Sequence, residues 1–189
     1  MSRVTKILVE GIDRLGKDTL LRGIQDRLGY HLVLRYEKPP LLDCYARGEA
    51  THSPQRTYQE ASFRTLLEIL GFGSNLKILC NRSHLGEFVY APIYRKYSGE
   101  YVFELEREFR LNAKADIRLV LLTEDFQSSQ HFVDDGKSLG TPEKRQAEQS
   151  MFIEAFERSV ICDKRVICVT NRKSGTFRPS TEILEEALR

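Results

Sequence analysis

Two periods of apolar and polar residues alternate along this chain. Short runs that are apolar without clean alternation recur at 4–10, 31–36, 76–80, 117–123 and 165–170. A strand buried on both faces, as in a parallel sheet, reads this way, because neither face can be left polar. Between the runs the apolar period lengthens to that of a helix. Residues 17–28 place Leu20, Leu21, Ile24 and Leu28 on one face, with Gly29 as the stop, and 55–70 places Phe63, Leu66, Leu67 and Leu70 likewise. Further helices are predicted over 85–97, 101–114, 142–160 and 180–188. Pro142 suits a first turn, and Ser180 or Thr181 a cap. Residues 41–54 read as a loop or short helix. Strand and helix alternate throughout, which builds a five-stranded parallel sheet with helices on both faces, a three-layer α/β sandwich. One domain over 1–189 is expected, with a lid-like loop at about 124–145.

Ligands of such sheets sit beyond the carboxyl ends of the strands. The chemistry of this chain falls there. The first apolar run ends in Glu10, and Gly11-Ile12-Asp13-Arg14-Leu15-Gly16-Lys17 follows, running straight into a helical pattern. This is the G-x-x-x-x-G-K part of a phosphate-binding loop (P-loop) in its strand–loop–helix context. Gly11 and Gly16 let the backbone curl with its N–H groups inward, the helix adds the positive end of its dipole, and Lys17 brings a mobile charge to nucleotide phosphates. The residue after the lysine, usually a Ser or Thr whose hydroxyl binds Mg²⁺, is Asp18, with Thr19 behind it. A carboxylate is a good hard ligand for that ion. The other strands end in Glu37-Lys38, Asn81-Arg82 and Thr123-Glu124. A nucleotide cradle, a Mg²⁺ site and arginines to neutralise transferred charge are the ingredients of phosphoryl transfer. No guanine-reading D-x-x-G or N-K-x-D pattern stands where a GTPase would need one.

Composition narrows this only slightly. A net charge of +2 with 30% charged residues gives no global bias toward nucleic acid or membrane. No apolar stretch approaches the length of a membrane span. Cys44, Cys80, Cys162 and Cys168 form no C-x-x-C pair and read as reduced thiols, partly buried in strands. Of the histidines, His84 lies near the rim without a second ligand at metal spacing; His31, His52 and His131 read as structural or solvated. A cytoplasmic protein is expected.

The stretch Glu10–Lys17 resembles the E-G-[IV]-D-[RG]-x-G-K loop of the thymidylate kinases. Asn81-Arg82-Ser83 stands where that family has D-R-[YF], and Glu148, Phe152 and Phe156 look like its E-x-x-x-F helix. Val169-Thr170-Asn171 and Thr181-Glu182-Ile183 stand where it holds adenine. The likeness spans nearly the whole chain and is specific at the loop. Asn81–Glu87 and the Gly-Lys-Asp-Thr ending resemble a bacteriophage branch, which would place the protein in the host cytoplasm. The resemblance implies ATP and Mg²⁺ as cofactors and a deoxynucleoside monophosphate, dTMP, as acceptor. Gly11, Asp13, Gly16, Lys17 and Thr19 would hold ATP and its metal, with Asp18 beside Thr19 on the metal. Arg14 would reach the phosphoryl group in transfer. Arg82 would bind the acceptor phosphate, with Glu37-Lys38 close by. Arg64 would lie against the base between walls made by Phe63 and Tyr90. Lys144 and Arg145 would close over ATP, and Asn171 would border the adenine. A homodimer through helices is an expectation by analogy. Each of these residues also has an ordinary reading as a solvated or core side chain.

The family's third-strand Asp is Asn81 here, while its loop Ser/Thr is Asp18, as if one carboxylate had crossed the metal. Asn81 is no general base, which suits an ionised monophosphate better than a hydroxyl acceptor. The runner-up is a nucleoside kinase, with Glu37 before Lys38-Pro39 as base. A variant of it acts on a hydroxymethylated pyrimidine within DNA, with Arg107, Arg110, Lys114 and Arg118 as a basic track. The third reading is a non-catalytic nucleotide-binding regulator.

Overall fold

A computed structural model describes residues 4–30, 32–36, 54–72, 76–126 and 141–189. Five strands form one parallel sheet: β1 (Lys6–Glu10), β2 (Leu32–Arg35), β3 (Ile78–Asn81), β4 (Ile117–Thr123) and β5 (Asp163–Cys168), in the order β2-β3-β1-β4-β5. β1 and β4 lie inside the sheet, and every residue of both is buried. Hence their unbroken apolar runs. The chain leaves β1 toward β2 on one side and β4 toward β5 on the other, so strand order reverses beside β1, the place where open sheets of this kind bind ligands beyond the carboxyl ends. At the opposite end, Lys6 spans the bottom of the sheet, donating to the Phe72 carbonyl and to Asp116, each at 2.7 Å.

Helix α1 (Lys17–Leu28) packs on α6 (Ser180–Leu188), α2 (Pro54–Gly71) on α4 (Tyr101–Glu108), and α3 (Leu85–Tyr90) on α5 (Pro142–Arg158). Pro142 occupies the first turn of α5 behind the Thr141 cap, whose hydroxyl accepts from the Lys144 amide. α6 starts at Ser180, but neither Ser180 nor Thr181 caps it. Pro179 holds that place, its fixed φ setting the entry angle and no side-chain cap bond forming.

Two helices are shorter than the periodicity predicts. The expected helix over 85–97 is α only to Tyr90, and Ala91–Arg95 continues as a π-helical turn. Pro92 has no N–H to donate and its ring crowds the carbonyl four residues back, so the α-helical ladder cannot run through it. The expected helix over 101–114 ends at Glu108, because Arg110 takes a left-handed φ of 53°; a 3₁₀ turn follows at Leu111–Ala113. Among the cysteines, Cys80 is buried in β3, while Cys162 is exposed just before β5.

His84 is a tie within the fold. Its Nε2 lies 2.8 Å from Glu106, and that buried carboxylate also accepts from the Ser159 hydroxyl at 2.6 Å and the Val160 amide at 2.7 Å. The start of α3 is thereby bonded to α4 and to the segment after α5. Burial works to raise the Glu106 carboxyl, but these donors hold it below the usual range.

Gly11 shows how closely the first loop sits on the sheet. Its φ is 135°, and a Cβ there would stand 2.5 Å from the Leu122 carbonyl oxygen of β4. Gly11→Ala should therefore cost about 3 kcal/mol or more, lowering Tm in a thermal melt by roughly 6–12 °C for a chain of this length. A melt unchanged within 1–2 °C would mean the loop is not held against β4 as described.

Candidate functional site

The loop between β1 and α1 closes around Lys17. Gly11, Arg14 and Gly16 take positive φ values of 135°, 68° and 77°, curling the backbone through nearly a full turn before the helix begins. The Lys17 ammonium sits inside the curl, 2.9 Å from the Gly11 carbonyl oxygen, 2.6 Å from that of Ile12 and 3.9 Å from the Asp13 carboxylate. Burial pulls the ammonium down to about 8, with the Arg82 guanidinium pushing the same way against Asp13, Glu10 and Asp18.

The turn after β3 faces this loop. Glu10, fully buried at the end of β1, accepts from the Ser83 amide at 2.7 Å and the Ser83 hydroxyl at 2.5 Å. Burial lifts its carboxyl above the usual range in spite of those bonds. The clamp holds Arg82 at a φ of 64°, a conformation that costs a non-glycine residue energy. So held, the Arg82 guanidinium pairs with Asp13 of the loop and lies 5.4 Å from the centroid of the Tyr90 ring. Tyr90 in turn packs edge-on to Phe152 of α5 and beside Tyr94, whose hydroxyl bonds Glu148 at 2.7 Å.

The two positions that depart from the family pattern meet. The Asn81 amide donates to the Asp18 carboxylate at 3.0 Å, and Arg35 from the end of β2 pairs with the same oxygen at 2.6 Å. Asp18 lies in the first turn of α1, where the helix dipole favours negative charge, and both Asp18 and Thr19 are exposed. This donor set fits a hard divalent ion, which commonly takes one or two carboxylates and completes its shell with water and phosphate. On the far side of the loop, Arg145 of α5 bonds the Glu124 carboxylate at 2.6 Å and the Asp13 carbonyl at 3.4 Å. Gln149 fixes Glu124 through its backbone N–H and C=O.

Among the described residues, six buried side-chain atoms lack a hydrogen-bond partner. Four of them, Glu10 Oε2, Asn81 Oδ1, Tyr90 OH and Glu124 Oε2, stand around this rim. Buried polar atoms are normally satisfied, so their concentration here marks the rim as the place where a polar ligand belongs.

The fold thus brings together Gly11, Asp13, Gly16, Lys17, Asp18, Arg82, Tyr90 and Arg145, with Arg14 on the same loop and Thr19 in the first turn of α1. Glu37 and Lys38 lie outside the described residues, as do His31, His52, His131 and the central part of the expected lid. Asn171 follows β5 at the edge of the sheet, where its side chain caps a turn by accepting from the Lys173 amide at 2.9 Å. Lys144 is exposed, its backbone used by the α5 cap. Phe63 is buried on the inward stripe of α2 with its ring 5.7 Å from that of Tyr36. Arg64 does not join the site. One position further round the helix, it points outward and pairs with Glu60 and with Glu108 of α4. Of the expected basic track, Arg107 and Arg110 are exposed and Lys114 half-buried, but Arg118 is not on the surface. Arg118 is buried on β4, bonded to Asp163 at 2.8 Å and to the Ala187 carbonyl at 3.0 Å. Glu10 and Ser83 stand within stretches that the sequence singles out, but neither carries a role there, and Arg35 escaped that reading. An acidic residue closing an otherwise apolar strand was the available signal for Glu10; Arg35 at the end of β2 had only its position.

Compared by sequence, the chain matches no family model and no curated protein. Solved structures do resemble it. The YorR protein of Bacillus subtilis, crystallised in complex with phosphorylated GDP, superposes with a TM-score of 0.62 at 16% identity, over 96% of this chain and 92% of that one. The fold is therefore the three-layer P-loop sandwich expected from the sequence. A gluconokinase of Sinorhizobium meliloti 1021 covers 98% of this chain and 91% of its own at 16% identity, with a TM-score of 0.44, too distant for a shared fold to follow. Among the described residues, no helix is long and apolar enough to cross a membrane, and no cluster of three or more His, Cys, Asp or Glu side chains forms a metal cage.

A Lys17 that titrates near 8 has a direct consequence for phosphate binding. The charged form binds phosphate, so affinity for a phosphate-bearing ligand, with ATP as the probe, should fall as pH rises past about 8, by at most about tenfold per unit for one linked proton. Calorimetric titration from pH 7 to 9.5 measures this, and Lys17→Arg, which keeps its charge, should flatten the slope. Equal slopes in both proteins would overturn it.

Proposed function

We propose that this protein is an ATP- and Mg²⁺-dependent phosphotransferase whose acceptor is a deoxynucleoside monophosphate, dTMP. One observation carries the reading. Arg82 is held at an unfavourable backbone angle, at the end of the strand beside β1, against the loop that curls around Lys17. Such strain persists only where the surroundings enforce it, and it concentrates at functional sites. Here Glu10 enforces it through Ser83, and the outcome is a guanidinium facing the phosphate cradle. A second anionic group bound by Arg82 would lie across from a first one bound by Lys17, which is the layout phosphoryl transfer between two phosphates requires. ATP, when bound with Mg²⁺, supplies the phosphoryl group. Lys17 and the loop amides would hold its phosphates, Asp18 and Thr19 its metal, and Arg145 would lie along its outer side.

The acceptor side favours an ionised oxygen over a hydroxyl. The residue before Arg82 is an amide, Asn81, and Glu10 has one oxygen committed to Ser83 and is itself lifted toward its neutral form. A monophosphate needs no base there, whereas a sugar hydroxyl does. The nucleoside-kinase reading depends on Glu37 for its base.

The decisive experiment is ADP formation from ATP and Mg²⁺ with each of four deoxynucleoside monophosphates, four deoxynucleosides, and single-stranded DNA with and without hydroxymethyluracil. Turnover is expected with a monophosphate, best with dTMP. Arg82→Met should lower kcat/KM for it by about a hundredfold or more while ATP binding persists. Turnover confined to nucleosides or DNA would reverse the choice of acceptor. ATP binding with no turnover on any of them would point to a regulator. Asp18→Ala, which leaves no ligand there, should raise the Mg²⁺ concentration needed for half-maximal rate; if rate and Mg²⁺ requirement survive unchanged, Asp18 does not serve the metal.

A further inference from the structure

Arg35 belongs to no motif of the phosphate loop, yet it reaches that loop. It is the last residue of β2, level with Asn81 of β3, and the Tyr36 amide that follows it donates to the Asn81 carbonyl at 3.0 Å. The two strand ends are thereby held side by side. From there Arg35 Nη1 donates to Asp18 Oδ1 at 2.6 Å, and Asn81 Nδ2 donates to the same oxygen at 3.0 Å. Both donors converge on Oδ1. Among the described residues this leaves Oδ2 as the oxygen that Asp18 can offer to a ligand.

The pair does little for the fold. Arg35 is 51% and Asp18 61% exposed, and an ion pair in that much water adds little stability. What it removes is freedom. A serine or threonine hydroxyl at position 18 would turn on one side-chain bond, whereas an aspartate oxygen turns on two, and an exposed one samples many orientations. With Oδ1 bonded from two strand ends, the carboxylate is oriented before a cation arrives. Arg35 also answers a charge problem. Asp18 follows Lys17 in the first turn of α1, where a bare carboxylate would repel the phosphates that the loop binds. A guanidinium on Oδ1 offsets part of that repulsion.

Carboxylates that bind metals are regularly held from behind by hydrogen bonds, and loss of such a partner costs about ten- to a hundredfold in metal affinity. We propose that Arg35 is a positioning residue for a divalent cation at the phosphate loop: with Asn81 it fixes Asp18 Oδ1 and so presents Oδ2 to the Mg²⁺ that accompanies a nucleotide. This rests on the reading of Asp18 as a metal ligand given above, and it adds the residue that makes an aspartate workable where a hydroxyl is usual. A rival effect, repulsion between the guanidinium and the ion, has the opposite sign, because removal of Arg35 would then strengthen metal binding.

The test is Mn²⁺ binding to the ADP complex of the full chain, with protein in excess over ADP, followed by loss of the free-ion electron paramagnetic resonance signal. Calorimetric ADP binding in excess EDTA runs beside it. Arg35→Met should weaken Mn²⁺ binding about tenfold, while ADP affinity in EDTA stays within about twofold and Tm within about 2 °C. Arg35→Lys, which keeps the charge and a donor, should restore most of the loss. In an Asp18→Ser background, where a hydroxyl stands in the usual place, Arg35→Met should change nothing. Tighter or unchanged Mn²⁺ binding by Arg35→Met would overturn the inference. So would an equal loss of ADP affinity in EDTA, the mark of an arginine that binds phosphate itself. Asp18→Ala separates this failure from that of the reading beneath it. If Asp18→Ala weakens Mn²⁺ binding and Arg35→Met does not, the assignment of Arg35 alone falls; if neither does, Asp18 is no metal ligand and both fall.

Discussion

The buried contact between Glu10 and Ser83 is the constraint on which the rest of the rim depends. It joins the ends of two neighbouring parallel strands, β1 and β3, just where each gives way to a loop. Strands alone would set the loops side by side without fixing their conformations. The carboxylate fixes one of them, holding the Arg82 turn in a left-handed geometry that its sequence would not choose. The guanidinium then meets Asp13, and the aromatic group Tyr90, Tyr94 and Phe152 builds outward from it. The cost is a carboxyl group displaced from its ordinary ionisation, and it is borne because the strand end is otherwise dry.

Around that contact, charges are arranged as opposed pairs that a ligand can rearrange. Lys17 is bonded to two backbone carbonyls of its own loop, Arg82 to Asp13, Asp18 to Arg35 and Asn81, and Arg145 to Glu124. Each cation that would face a phosphate already has a weaker or exchangeable partner. Anionic ligands entering such a site replace partners instead of meeting bare charge, and this keeps an unliganded cationic rim from repelling itself. The orphaned oxygens of Glu10 and Glu124, the Asn81 carbonyl and the Tyr90 hydroxyl are the acceptors left within the same ring.

Much of this was legible in the residues. The buried strands announced themselves by apolar runs, and the phosphate loop by two glycines and a lysine at a spacing that backbone sterics demand. The exchange of Asp18 for a hydroxyl residue and of Asn81 for a carboxylate hinted that the two positions were neighbours, and they are bonded. What failed did so for specific reasons. Arg64 follows Phe63, and a helix turns about 100° per residue, so one position separates an inward side chain from an outward one. The helix expected over 85–97 ignored what Pro92 does to the ladder, and the consequence, a π-helical turn that swings Arg95 onto Glu87, has no local signature.

The sequence by itself determined the architecture and the cradle, because hydrophobic period, strand–helix alternation and the phosphate loop are properties of contiguous residues. Only the tertiary structure decided the identity of the groups that work together. Glu10 and Ser83 are 73 positions apart, Asp18 and Asn81 are 63, and Gln59 and Glu87 are 28. Parallel strands require a crossover between each neighbouring pair, so contacts between the ends of neighbouring strands join segments far apart in the chain. Which polar side chains meet across that distance depends on register and on helix rotation, and neither is written in any single stretch.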